Sequence, residues 1–265
     1  MDLLLLLKAF ILGLVEGATE FLPISSTGHM IIVGDLLNFN DDKGKVFEIV
    51  IQLGAILAVC WEFRSRLITT ATQLTSNKGA QAFVLNLLIA FLPAAILGLL
   101  FHDYIKKHLF NPVTVAISLI IGGFVILFIE KNVPKPRTMH IENMTKLQAL
   151  QIGLAQSLAL IPGVSRAGAT ILGGVSFGLT RQTATEFSFF LALPIMFAAT
   201  GLDLIKSHNL LSMADAPMFA VGFVTAFLSA LLVIKILIRY VANHNFTVFA
   251  WYRIIFGSIV LAYFL

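Results

Sequence analysis

Apolar residues gather along the chain in runs at roughly 3–22, 46–61, 83–101, 112–130, 147–177, 186–205, 217–238 and 247–265, divided by short polar connectors. The longer runs reach the ~20 residues that a helix needs to cross a hydrocarbon core of about 30 Å. Several others are too short or too polar to cross simply. The first holds Glu16 and Glu20 and is broken by Pro23; the fifth holds Gln156, Ser157, Pro162, Gly163, Ser165 and Arg166. Broken, polar backbone is tolerated at membrane depth only where it is buried in protein or lines a cavity. The pattern therefore predicts an all-α polytopic membrane protein with about six full crossings plus broken or re-entrant pieces.

The pattern also repeats. GLVEGATEFLPISS, from Gly13, matches GLAQSLALIPGVS, from Gly153. Glu16 aligns with Gln156 and, with one residue dropped, Pro23 with Pro162 and Ser26 with Ser165. Glu48 and Glu186 follow the two motifs, and Asn111, Ala116 and Gly123 match Asn245, Ala250 and Gly257 in the same order. We read one integral membrane domain built of repeat 1 (1–130) and repeat 2 (147–265), joined by a polar linker at 131–146. Halves that each cross an odd number of times form an inverted-topology repeat, whose functional site lies between them at the broken helices.

Composition agrees. Of 265 residues 58% are hydrophobic and 12% charged, about half the charged share of a soluble domain. The net charge of +4 would suggest nucleic acid in a soluble protein. Here the basic residues sit in connectors, where they set topology and touch lipid headgroups, so no nucleic-acid partner is expected. The linker carries Lys131, Lys135, Arg137 and Lys146 against Glu142, which the positive-inside rule places in the cytoplasm. Lys106 and Lys107 lie in another connector, as do Arg64 and Arg66, so the bias does not set the whole topology. Cys60 is the only cysteine, which excludes an intramolecular disulfide and a thiolate metal cluster. Asp2 stands where a cleaved signal would carry basic residues, so the first run is read as a retained membrane segment.

Charge inside the apolar runs is costly and points to function. Glu16 and Glu20 are four residues apart and share a helix face. Two like charges there call for a cation between them or a held proton. Paired carboxylates with open coordination positions suit Mg²⁺ or Ca²⁺, with phosphate oxygens completing the shell. Pro23 should stop the helix, and Ser25, Ser26, Thr27, Gly28 and His29 follow as a polar turn. Ser26 is a candidate nucleophile or phosphate donor, and His29 a candidate acid or base. Ser25 and Thr27 suit helix capping and are also candidate diphosphate donors.

In the second motif, Pro162 and Gly163 break the chain before Ser165 and Arg166. A helix starting there gathers free N–H groups that bind anions. Arg166 adds a forked donor matched to phosphate oxygens, and Thr170 lies four residues on, on the same face. Gly173 and Gly174 are read as packing glycines. An arginine in so apolar a segment needs an anion, either the glutamates or a bound phosphate. Together the motifs supply charge neutralisation, a nucleophile and a proton donor, the requirements of phosphoryl transfer.

These two motifs resemble those of the bacterial undecaprenyl-diphosphate phosphatase family, the BacA or UppP bacitracin-resistance proteins. The resemblance extends over nearly the whole chain and includes FHDYIKKHLFNP (101–112) and EFSFFLALPIMFAA (186–199). It implies hydrolysis of undecaprenyl diphosphate to the monophosphate, which recycles the carrier for cell-wall synthesis. It also implies an inverted-repeat fold, a homodimer, dependence on Mg²⁺ or Ca²⁺, a bacterial inner membrane location and a site open to the periplasm. By motif position it assigns Glu16, Glu20, Ser26, His29, Ser165, Arg166 and Thr170, with the backbone at Gly163. Ala167 stands where the family often has a second serine, and Arg253 matches a basic residue near the family's C-terminus. In this scheme Glu16 and Glu20 hold the cation and Arg166 grips the terminal phosphate. The nucleophile stays open between Ser26, His29 and water.

Two other classes share parts of this pattern. Acid-phosphatase-like lipid phosphatases place a histidine about six residues after their Ser-Arg pair, and none follows Arg166 here. A transporter or flippase for a polyprenyl phosphate lipid would use the same inverted architecture.

Overall fold

A helix satisfies its own backbone polar groups, so the apolar runs fold as helices, and the interruptions inside the first and fifth runs fall at Pro23 and at Pro162-Gly163. The computed structural model describes residues 3–39, 42–207 and 215–265. Asp2 and the side chain of Lys106 lie outside what is described. Among the described residues the elements are α1 (Leu3–Thr19), α2 (Ser26–Leu36), α3 (Asp42–Glu62), α4 (Arg64–Gln73), α5 (Lys78–His108), α6 (Pro112–Lys131), α7 (Lys146–Ser157), α8 (Arg166–Ser176), α9 (Arg181–Ser207), α10 (Ala216–Val241) and α11 (Thr247–Phe264). Short 3₁₀ turns at Ile141–Asn143 and Leu158–Leu160 complete them. Asparagine caps start two of the long helices: Asn77 Oδ1 accepts from Gly79 N and Asn111 Oδ1 from Thr114 N. Thr145 and Gln148 form a capping box at α7.

Among the described residues five helices are long and apolar enough to cross a membrane: parts of α5 and α9, and α6, α10 and α11. The bent pair α3–α4, turned by 71° at its break, makes a sixth. The expected count of about six crossings matches. By contrast α2, α7 and α8 have 11, 12 and 11 residues, about 16–18 Å at 1.5 Å per residue, too short to span alone. The breaks α1–α2 and α7–α8 are the two expected from Pro23 and from Pro162-Gly163. No long apolar run predicts helix α4, which buries no side chain and has no counterpart among the described residues of the second half.

The outward faces are apolar. Leu88 and Leu92 of α5, Phe124 and Phe128 of α6, Leu228 and Leu232 of α10, and Ile255 and Ile259 of α11 are all exposed. Water would not tolerate this surface, but lipid does. The interior is centred on α9, whose Phe187, Phe189, Phe190 and Leu191 are wholly buried against Phe21, Ile56, Ala90 and Ile171.

Packing follows the repeat. Helix α1 lies on α10 as α7 lies on α5, and α3 meets α10 as α9 meets α5. A Cβ at Gly13 would stand 2.4 Å from the Gly222 carbonyl oxygen, and one at Gly153 would stand 2.6 Å from that of Ala90. The residues matched near the ends of the halves meet each other across α6 and α11. A Cβ at Gly123 would lie 2.7 Å from the Ala250 oxygen, and one at Gly257 would lie 2.9 Å from the Ala116 oxygen. Such contacts let backbones approach where lipid offers no hydrophobic drive to associate.

At the linker end, the Glu130 carboxylate accepts from Arg181 and from the Phe246 N–H. Arg66 pairs with Glu142 and lies 3.8 Å from Glu186. Glu186, matched in sequence with Glu48, therefore faces this ion cluster and not the breaks.

Candidate active site

Helix α1 ends at Thr19, before Glu20, although the Glu20 N–H still donates to the Glu16 carbonyl at 2.9 Å. The residue before a proline avoids helical backbone, so the turn comes a little earlier than Pro23 itself. The chain re-enters helix after Ser25, at φ 67°; in the second half it does so after Ser165, at φ 74°. Both serines are N-cap residues with left-handed φ. That conformation costs on the order of 1–3 kcal/mol for a non-glycine and clusters at functional sites. The shared cap geometry corrects the alignment: Ser25, not Ser26, is the counterpart of Ser165, and Ser26 is the counterpart of Arg166. With that pairing Glu16 to Ser25 and Gln156 to Ser165 are equally long, so no residue is dropped and only the proline is displaced. In the second break Gly163 follows the proline; it holds φ +90°, and its Cβ would stand 2.5 Å from the Val115 oxygen. No other residue type fits that turn.

The breaks meet through Glu20. Ser26 Oγ donates to Glu20 Oε2 at 2.5 Å, and Arg166 Nη2 donates to Glu20 Oε1 at 2.9 Å. Arg166 also donates to the Ser188 carbonyl at 3.3 Å and lies with its guanidinium 5.6 Å from the Phe21 ring. Its Nε is buried without a partner among the described residues, as is Glu16 Oε1. Buried orphans of opposite sign beside one polar cluster are what a bound anion and a bound cation would satisfy.

Ser165 ties the two breaks together. Its Oγ accepts from the Gly168 N–H at 3.0 Å and donates to the Leu22 carbonyl at 3.4 Å. Thr170 is buried; its hydroxyl reaches the Arg166 and Ala167 carbonyls and pairs with Ser188 Oγ at 2.6 Å. It anchors the first turn of α8 against α9 and does not line the cavity. Ala167 is wholly buried and does not line the cavity.

A cavity of about 160 Å³ opens over this cluster, lined by Glu20, Ser25, Ser26, Thr27, Gln52, Phe110, Ala159, Leu160, Pro162, Gly163, Ser165 and Arg166. Phe110 and Leu160 also line a second, apolar cavity of about 450 Å³ between α5 and α9, with Phe91, Leu99, Ile195 and Leu202. Sequence reading missed Gln52, Phe110 and Leu160. Only Gln52 left a signal, as a polar residue inside an apolar run.

His29 is elsewhere. Its Nδ1 donates to the Ser25 carbonyl at 2.8 Å, and its Nε2 is 2.6 Å from the Tyr252 hydroxyl. The ring stacks on Phe256 with centroids 4.2 Å apart. It faces α11 behind the turn and does not line the cavity, so the expected acid–base role finds no geometry here.

Among the described residues there is no group of three or more His, Cys, Asp or Glu side chains able to hold a metal. The smaller set fits a hard cation nonetheless. Glu16 and Glu20 carboxylates and the Ser26 hydroxyl are oxygen donors, and the orphaned Glu16 Oε1 leaves one of them unsatisfied.

Comparison with known proteins bears on this arrangement. The family described as Bacitracin resistance protein BacA matches residues 9–259. An undecaprenyl-diphosphatase of Methylobacillus flagellatus is 66% identical, covering all of both chains. One of Nitrosospira multiformis is 62% identical over 98% of this chain and 96% of its own. One of Cupriavidus metallidurans is 55% identical over 98% and 96%.

Proposed function

This chain belongs to the bacitracin resistance protein BacA family, and from that we infer that it is an undecaprenyl-diphosphatase. It hydrolyses undecaprenyl diphosphate to undecaprenyl phosphate and inorganic phosphate, recycling the lipid carrier for cell-wall synthesis and conferring bacitracin resistance. The observation that carries the chemistry is the Ser26–Glu20–Arg166 cluster, a hydroxyl and a guanidinium on the two oxygens of one buried carboxylate.

In this proposal Ser26 Oγ attacks the terminal phosphorus and passes its proton to Glu20. The bond from that phosphorus to the bridging oxygen breaks, and undecaprenyl phosphate leaves with the proton that Glu20 had taken, so Glu20 is a carboxylate again. Water then attacks the phosphoserine, Glu20 takes a proton from it and returns that proton to Ser26 Oγ as the ester bond breaks, and Ser26 and inorganic phosphate are released. Arg166 is released from Glu20 as Glu20 protonates, so its donors turn to the phosphoryl oxygens. Free N–H groups at the starts of α2 and α8 add to the anion site. Glu16, Glu20 and Ser26 would hold Mg²⁺ or Ca²⁺. Such an ion neutralises charge on the diphosphate oxygens.

The lipid tail takes the 450 Å³ apolar cavity, which meets the polar one at Phe110 and Leu160. Phe110 lies at the start of α6 and the basic linker at its end, about 30 Å apart for 20 residues. A cytoplasmic linker therefore puts the mouth on the periplasmic side of the inner membrane. The halves form an inverted repeat, and two copies form the homodimer, which native mass spectrometry in detergent would count.

The test is phosphate release from undecaprenyl diphosphate by purified protein, with Mg²⁺, with Ca²⁺ and with chelator. Release that requires the divalent ion is expected. Full release in chelator would remove the metal, and no release under any condition would favour a transporter.

A further inference from the structure

Arg253 is a large, charged side chain that is 1% exposed, on the face of α11 that is otherwise buried through Ala250, Gly257 and Val260. A guanidinium has five N–H donors, and here all five go to backbone carbonyls. Nε donates to Leu119 at 3.3 Å; Nη1 donates to Pro23 at 3.1 Å and Val164 at 2.9 Å; Nη2 donates to Ser118 at 3.1 Å and Gly163 at 3.0 Å. Pro23 belongs to the first break, Gly163 and Val164 to the second, and Ser118 and Leu119 to α6. One side chain thus joins both breaks to the α6–α11 pair.

Burying a charge in a membrane segment is expensive, and a side chain serving only to pack α11 would not need one. The position has no counterpart in the first half, where the matching residue is Leu119. The carbonyls it gathers matter to the neighbouring cavity. Break carbonyls facing that cavity would repel a diphosphate; those of Pro23, Gly163 and Val164 are instead held on the guanidinium. Gly163, which lines the cavity between Pro162 and Ser165, thus has its carbonyl engaged by the guanidinium.

We infer that Arg253 is a positioning residue for the hydrolysis: it fixes the Pro23 break, which carries Glu20 and Ser26, against the Gly163 break, which carries Arg166, and keeps both sets of carbonyls off the diphosphate. This rests on the hydrolase function above. Phosphate release by the wild-type protein, run alongside, separates failure of that function from failure of this inference.

Gly122 offers a test that leaves Arg253 chemically intact. A Cβ there would lie 2.1 Å from Arg253 Nη2 and 2.6 Å from its Cζ. Gly122→Ala must push the guanidinium aside, yet alanine favours the helix. Wild type, Gly122→Ala, Arg253→Lys and the double variant are compared for kcat, KM and thermal midpoint. Misplacing reacting groups by about 1 Å costs about 10²-fold. Each single variant is therefore expected to fold, to lose kcat by about that factor, and to change KM by less than about threefold. Lysine lacks the Nη2 that the new methyl strikes, so Gly122→Ala should cost almost nothing more in the Arg253→Lys background. A folded variant of either kind with wild-type kcat overturns the inference. So does a Gly122→Ala effect equal in both backgrounds. Should Arg253→Lys fail to fold, Gly122→Ala alone decides: its loss of kcat at an unchanged midpoint supports positioning, and a loss matched by a lower midpoint refutes it.

Discussion

Glu20→Gln is the most informative single change. Glutamine has the shape of glutamate but one acceptor oxygen in place of two. Glu20 receives Ser26 on Oε2 and Arg166 on Oε1, so the variant satisfies one partner and turns an amide toward the other. A lost hydrogen bond to a charged group costs about 1.5–3 kcal/mol, which lowers the thermal midpoint without unfolding the protein. The greater loss is chemical. Without the carboxylate nothing takes the Ser26 proton, and general-base catalysis contributes ~10²–10⁴-fold. At about 1.36 kcal/mol per decade, the barrier rises by ~2.7–5.4 kcal/mol. Single-turnover phosphate release in detergent measures it, with Ser26→Ala and the double variant beside it. Groups that act as a unit are not additive, so the double variant should be no slower than the slower single. A Glu20→Gln rate within roughly fivefold of wild type would remove Glu20 as the base, since that is far below the general-base range. Losses that multiply in the double variant would separate Ser26 from Glu20.

Other consequences are quicker to check. His29→Gln breaks the Tyr252 contact but leaves the cavity lining alone, so steady-state kcat should fall by less than the ~10²-fold at which acid–base roles begin. Phe110→Asp puts a charge where the two cavities meet. It should raise KM for undecaprenyl diphosphate by about tenfold or more while sparing a short-chain prenyl diphosphate, because burying an unpaired charge against the tail is costly. Gly13→Val and Gly153→Val force matched helix pairs apart, against Gly222 and Ala90. Overpacking of this kind costs about 1–3 kcal/mol, so both should lower the thermal midpoint, by similar amounts if the halves pack alike.

Much of the fold was legible because hydrocarbon imposes a simple rule. A segment must be helical, apolar outside and about 20 residues long to cross, so run lengths predicted crossings and the interruptions at Pro23 and Pro162-Gly163 predicted breaks. The glutamates and Arg166 stood out since charge in such segments is costly. His29 misled for the opposite reason: its type suits catalysis, but orientation decides use, and the turn at Ser25 sends the ring to Tyr252. Helix α4 was hidden because its sequence, RSRLITTATQ, holds no long apolar run. Pairing Ser26 with Ser165 followed the prolines, whereas backbone conformation pairs Ser165 with Ser25.

Sequence alone determined that this is a repeated, all-helical membrane protein whose two polar interruptions carry acids in one half and Arg166 in the other. Those properties follow from local chemistry and spacing, which a linear chain displays. Only the tertiary structure decided that Glu20 joins Ser26 to Arg166, that the polar cavity opens into an apolar one at Phe110 and Leu160, and that Arg253 holds both breaks. Each of these depends on contacts between segments more than a hundred residues apart or on where a backbone carbonyl points. Residue type and spacing do not encode either; helix packing sets both.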